Sequence, residues 1–122
     1  MKEMTWEEEF ERMNAINDRL YRKHGSSAVW SVPYKKAPSE RLRAVEGRVR
    51  FFARGDDFFG GEESRNYVSR VYNNPSWETV YKEFARSLGH TRDFHHLFLE
   101  GIRKVSPIEL KQEVVYEFVT GS

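Results

Sequence analysis

Both ends of this chain commit to regular structure, and to opposite kinds. Thr5-Trp6-Glu7-Glu8 has the Thr-x-x-Glu form in which two side chains reciprocally satisfy the free amides of a helix start. Trp6, Phe10, Met13, Ile16 and Leu20 follow at steps of three and four. Arg22, Lys23 and His24 then bring positive charge to the carboxyl end, and Gly25 stops the run. At the far end, Glu113 to Val119 is rich in β-branched and aromatic residues and reads as a strand. A chain bounded in this way must pack helix against sheet.

The interior supplies further elements. Ala28 to Val32 reads as a short strand, and Ser39 as the cap of a brief helix containing Leu42. Val45 to Ala53 fits two patterns. As a helix it would hold Gly47 inside, at a cost of about 1 kcal/mol relative to alanine. As a strand it alternates Val45, Val49, Phe51 and Ala53 against Glu46, Arg48 and Arg50, and the strand fits better. Three more helices are expected: Glu62 to Tyr72; a run capped by Ser76 with Trp77, Val80, Tyr81, Phe84 and Leu88 inward, ended by Gly89; and a run from Thr91 with Phe94, Leu97, Phe98, Ile102 and Val105 inward, closed by Pro107. The expectation is an α+β fold of about four helices packed on a small two- or three-stranded antiparallel sheet, with residues 1–122 forming a single globular domain. Pairing Val45–Ala53 with Glu113–Val119 would close it.

Composition supports a packed core. A chain of 122 residues buries roughly two-thirds of the surface its unfolded form exposes. Eighteen aromatic residues (nine Phe, six Tyr, three Trp) supply that core even though 32% of the residues are charged. Cysteine is absent, which excludes disulfides, thiol nucleophiles, thiolate zinc sites and iron–sulfur clusters, and fits a reducing compartment. No apolar run approaches the roughly 18 residues a membrane span needs. A cytoplasmic location without membrane contact is expected.

Charge is segregated although the total is only +1. The 33 residues from Arg22 to Arg54 hold nine Lys/Arg and two acids, Glu40 and Glu46. Acidic runs bracket this block, with Glu7-Glu8-Glu9 and Glu11 before it and Asp56-Asp57 and Glu62-Glu63 after it. Such segregation sets up local fields that steer a partner of opposite sign, and it also arises where a fold pairs its own charges.

Enzyme signatures are lacking. There is no phosphate-binding Gly-x-x-x-x-Gly-Lys, no Gly-x-Gly-x-x-Gly and no Gly-x-Ser-x-Gly, so the chain is read as non-enzymatic and without a cofactor. The one cluster of metal-ligating types is His90, Asp93, His95, His96 and Glu100. On a helix Asp93, His96 and Glu100 would share a face, but a face turned to water lacks enclosing ligands, and no metal site is assigned. A weak metal-dependent activity at His90–His96 stands as an alternative.

The primary expectation is a small accessory or regulatory protein that binds another protein or a second copy of itself. Its contacts would be Lys35, Lys36, Arg41, Arg43, Arg48 and Arg50, with Trp30, Phe58 and Phe59 as aromatic anchors. The principal alternative is binding of RNA or single-stranded DNA through the basic segment 35–54, where arginines would meet phosphates and aromatic rings would stack on bases.

Overall fold

The computed structural model describes residues 3–55, 65–93, 95–105 and 113–122. They form α1 (Trp6–His24), β1 (Val29–Trp30), β2 (Arg48–Ala53), β3 (Tyr67–Val68), β4 (Tyr72–Asn73), α2 (Trp77–Thr91), β5 (Phe98–Lys104) and β6 (Val114–Gly121). The α+β class holds. The expected four helices on a small antiparallel sheet do not: the described residues hold two helices and one six-stranded mixed sheet.

The corrections have local causes. The helix capped by Ser76 passes Gly89 and stops at Arg92, which takes the left-handed conformation at φ 57°. Asp93 Oδ1 then accepts the amides of His95 and His96, each at 2.9 Å, and turns the chain away from helix. Strand β5 comes next, where the expected last helix would have held Gly101 in its interior. The segment expected as a helix to Tyr72 instead lays two short strands, β3 and β4, along β2. Gly47 takes φ 90°, closed to residues with a Cβ, so β2 begins one residue after it.

The sheet runs β1-β5-β6-β2-β3, with β4 also on β2. β5 and β6 are antiparallel, while β1–β5 and β2–β6 are parallel. The expected closing pair is therefore present as β2 on β6, with Val49 opposite Val114 and Phe52 opposite Glu117. One sheet face carries Trp30, Val49, Phe51, Leu99 and Phe118, all buried, against Trp77, Val80, Tyr81 and Phe84 of α2. Trp30 meets Trp77 edge to face at 6.1 Å, and Phe118 lies between Phe51 at 5.7 Å and Phe84 at 5.4 Å.

The amino end of α2 is closed by the loop before it. Ser76 Oγ accepts the Thr79 amide, and the carbonyls of Leu42 and Glu40 accept the amides of Trp77 and Glu78 at 2.8 and 2.7 Å. Helix α1 lies along the outer edge of β1. Asn17 donates to the Trp30 carbonyl at 2.9 Å and accepts the Trp30 amide at 2.6 Å, while Arg12 donates to the Val32 carbonyl at 2.8 Å. A sheet edge left open in this way invites another strand, and here side chains of a helix occupy it. No helix among the described residues is long and apolar enough to cross a membrane.

Candidate functional site

Strand alternation gathers charge on the sheet face turned away from α2. Residues 48, 50 and 54 fall on that face, as do Glu113 and Glu117 of β6 and Arg103 of β5, set opposite one another by register. Glu113 takes Arg50 Nε at 2.6 Å and Arg48 Nη2 at 3.8 Å. Glu117 takes Arg54 Nε at 3.4 Å and Arg103 Nε at 3.0 Å, with Arg103 Nη2 in close contact as well. Each carboxylate thus serves two guanidiniums. Lys36 reaches the same face, its ammonium 3.3 Å from where a Cβ on Gly101 would stand, and Glu100 folds over Gly121 nearby. Among the described residues, five cationic heads face three carboxylates there, an excess of positive charge.

The basic segment 35–54 is split three ways. Lys36, Arg48, Arg50 and Arg54 share the sheet face. Arg41 and Arg43 stand at the amino end of α2, where Arg43 bridges to Ser76 and reaches Glu46 at 3.2 Å. Lys35 stands beside the start of α1, 3.7 Å from Glu3. Trp30, expected as a partner-facing anchor, is 1% exposed and belongs to the core. Phe58 and Phe59 lie outside the described residues.

Where β2 ends and β6 runs on beside the last turns of α2, a cavity of about 350 Å³ opens. Its lining includes Arg54, Arg103, Glu117, Asp93 and His96, with the largely buried Phe84, Leu88, Thr91 and Phe118 behind them. Asp93 Oδ2 lies 3.0 Å from His96 Nδ1. Burial would raise the Asp93 carboxyl, but the amides of His96 and His95 and the His96 ring outweigh it and hold the group below its ordinary range. The arrangement fixes the imidazole edge that faces away from Asp93. The helix that would have aligned Asp93, His96 and Glu100 is absent, since Glu100 lies on β5, and no group of three or more metal-ligating side chains gathers among the described residues. His90 instead packs its ring on Tyr67 at 5.0 Å.

A second surface went unread in the sequence. Trp6 and Phe10, which share the apolar spacing of α1 with Met13, Ile16 and Leu20, are 74% and 59% exposed, and Tyr21 is 66% exposed. They fall along one side of the helix over about 22 Å, given a 1.5 Å rise per residue. Between the start of α1 and the segment 33–35 an apolar hollow of about 480 Å³ is lined by Met4, Met13, Pro33 and Tyr34, together with Glu3, Glu9 and Lys35. Glu7, Glu11 and Asp18, all exposed, line the flank of the stripe. Only Ile16 and Leu20 of the predicted stripe are fully buried. The signal was its length: α1 carries apolar residues two turns beyond the strand it covers.

Comparison with protein-family models, with curated proteins and with solved structures found no match to this chain.

Proposed function

We propose that the protein is a non-enzymatic binding partner that receives an amphipathic segment of another protein along α1. The observation that carries this reading is the exposure of Trp6, Phe10 and Tyr21 on one side of α1, with an apolar hollow lined by Met4, Met13, Pro33 and Tyr34 near its start. Large aromatics left in water on one side of a helix mark interaction sites, and Trp and Tyr dominate binding hot spots. The acidic flank of Glu7, Glu11 and Asp18 selects the occupant by charge: apolar side chains bordered by Lys or Arg. The surface differs from the one expected from the basic block, which lacks Trp30 as an anchor.

The test is site-specific photo-crosslinking in cells from positions 6, 10 and 21, with position 15 on the opposite side of α1 as control. Crosslinks from the row to a Lys/Arg-flanked apolar segment, lost in Phe10→Glu, are expected. Equal labelling at position 15 would refute the reading, and self-association abolished by Phe10→Glu would put a second copy in the partner's place.

The sheet face supports a second reading, binding of RNA or single-stranded DNA. Lys36, Arg48, Arg50, Arg54 and Arg103 exceed the acids beside them, and phosphate contacts made by such groups weaken steeply with salt. A salt titration of a labelled oligonucleotide tests it. A flat dependence, or no binding at roughly 50 mM salt, refutes it.

A further inference from the structure

We propose that the partner received along α1 is a second copy of this chain, and that the surface it presents is its own arginine-bearing sheet face. The inference rests on the reading of α1 as a docking helix and names its occupant.

Both surfaces carry charge that the fold leaves uncompensated. Glu7, Glu11 and Asp18 are exposed and make no ion pair among the described residues. On the sheet face the exposed Lys36 likewise makes none among the described residues. Arg48 lies 3.8 Å from Glu113, which Arg50 already holds at 2.6 Å, and Arg54 and Arg103 share Glu117. The two patches are opposite in sign while the whole chain carries only +1. Copies therefore approach without the repulsion of a large common charge, and the opposite patches steer them together. Two α1 surfaces set face to face would instead oppose acid to acid, which disfavours a simple helix pair.

The apolar side chains match as well. Alternation along β6 puts Phe118 in the core and Glu117, Val119 and Gly121 on the other face. Their partners in register, Phe52, Gly101 and Phe98, lie on that face too. Phe98 is 38% exposed, and Phe52 and Val119 are half-buried. Arg54 and Arg103 flank Glu117, and the Lys36 ammonium reaches over Gly101. The face thus presents apolar side chains bordered by Lys and Arg, the chemistry selected by Trp6, Phe10 and Tyr21 with their acidic flank. At about 1.5 Å per residue α1 is about 28 Å long, and five strands about 4.8 Å apart are about 19 Å wide, so one helix spans the cationic set. The contact joins two different patches, so it is doubled in a closed pair or repeated around a ring or along a chain.

Sedimentation velocity of the full chain from about 1 μM to about 1 mM, at roughly 50 mM salt to keep screening low, tests this. Wild type should self-associate, and added salt should weaken the association. Glu7→Lys with Glu11→Lys and Asp18→Lys should weaken it by about tenfold or more, and so should Lys36→Glu with Arg48→Glu. An equimolar mixture of the two variants should restore it, because each meets a surface of opposite sign on the other. A mixture of folded variants that stays monomeric overturns the inference, as does association that only one reversal, or neither, disturbs. Should a reversed variant fail to fold, Glu7→Gln with Glu11→Gln and Asp18→Asn decides: a several-fold loss is expected, and unchanged association overturns the inference. Wild type monomeric at every concentration overturns it too. The α1 reading then stands if photo-crosslinks from positions 6, 10 and 21 reach another protein, and falls if they do not.

Discussion

Glu83 is 2% exposed, and its carboxylate accepts hydrogen bonds from the hydroxyls of Tyr67 and Tyr72, with Arg86 at 3.5 Å. Burial, and then the bond to Glu83, push both phenols above their ordinary range, so they stay donors throughout neutral pH. Tyr67→Phe leaves a buried charge one donor short and should cost about 1.5–3 kcal/mol in urea unfolding. A loss under about 0.5 kcal/mol, the size of an ordinary surface change, would show that the carboxylate finds another donor. Glu78 gives the complementary case. Burial would raise it, but Lys23 at 2.7 Å and His24 at 3.0 Å bring it below the ordinary 4.5. Its contribution is therefore complete above that value and is lost as pH falls through the folded pKa. The melting difference between wild type and Glu78→Gln should be full above the ordinary 4.5 and close as the pH falls below it, and a constant gap would contradict the assignment.

At the scale of elements, the helix ends were legible because capping is local chemistry. Thr5 with Glu8, Gly25 at φ 61° and Ser76 all act where the sequence placed them. β5 was not legible, because Leu97, Phe98, Ile102 and Val105 satisfy a helical period equally well. What decides between the two is the left-handed Arg92 followed by the Asp93 turn, and neither residue type announces that role. Inside a helix Gly47 would be a cost, and its actual use is a positive φ at the mouth of β2. Gly47→Ala should cost about 1–2 kcal/mol, the penalty for a Cβ in left-handed backbone, and an unchanged urea midpoint would argue against that conformation. Asn17 was invisible for a different reason: its partners, the amide and carbonyl of Trp30, belong to the backbone. Asn17→Ala leaves both without a protein partner and should cost about 1–3 kcal/mol.

For the whole molecule, charge segregation was plain in the sequence but its disposition was not. The acids that organise Arg48, Arg50, Arg54 and Arg103 are Glu113 and Glu117, supplied by a strand far along the chain. The parallel pairing of β2 with β6 brings them to Arg48, Arg50 and Arg54, the antiparallel pairing of β5 with β6 brings Glu117 to Arg103, and register is a property of the assembled sheet. The same pairing sets a kinetic expectation. Loop closure between such distant segments precedes the contacts that reward it, so refolding should take about milliseconds to seconds. Stopped-flow fluorescence of the buried Trp30 and Trp77 would measure it, and complete recovery within microseconds would show that local helix formation governs instead.

The way α1 guards β1 carries a consequence for damaged chains. A cut in the short connection after Gly25 would let the helix depart and leave the Trp30 peptide group with open valences at the sheet margin. Such a fragment would recruit the nearest extended segment, and clipped molecules should seed fibrous aggregates that intact ones resist.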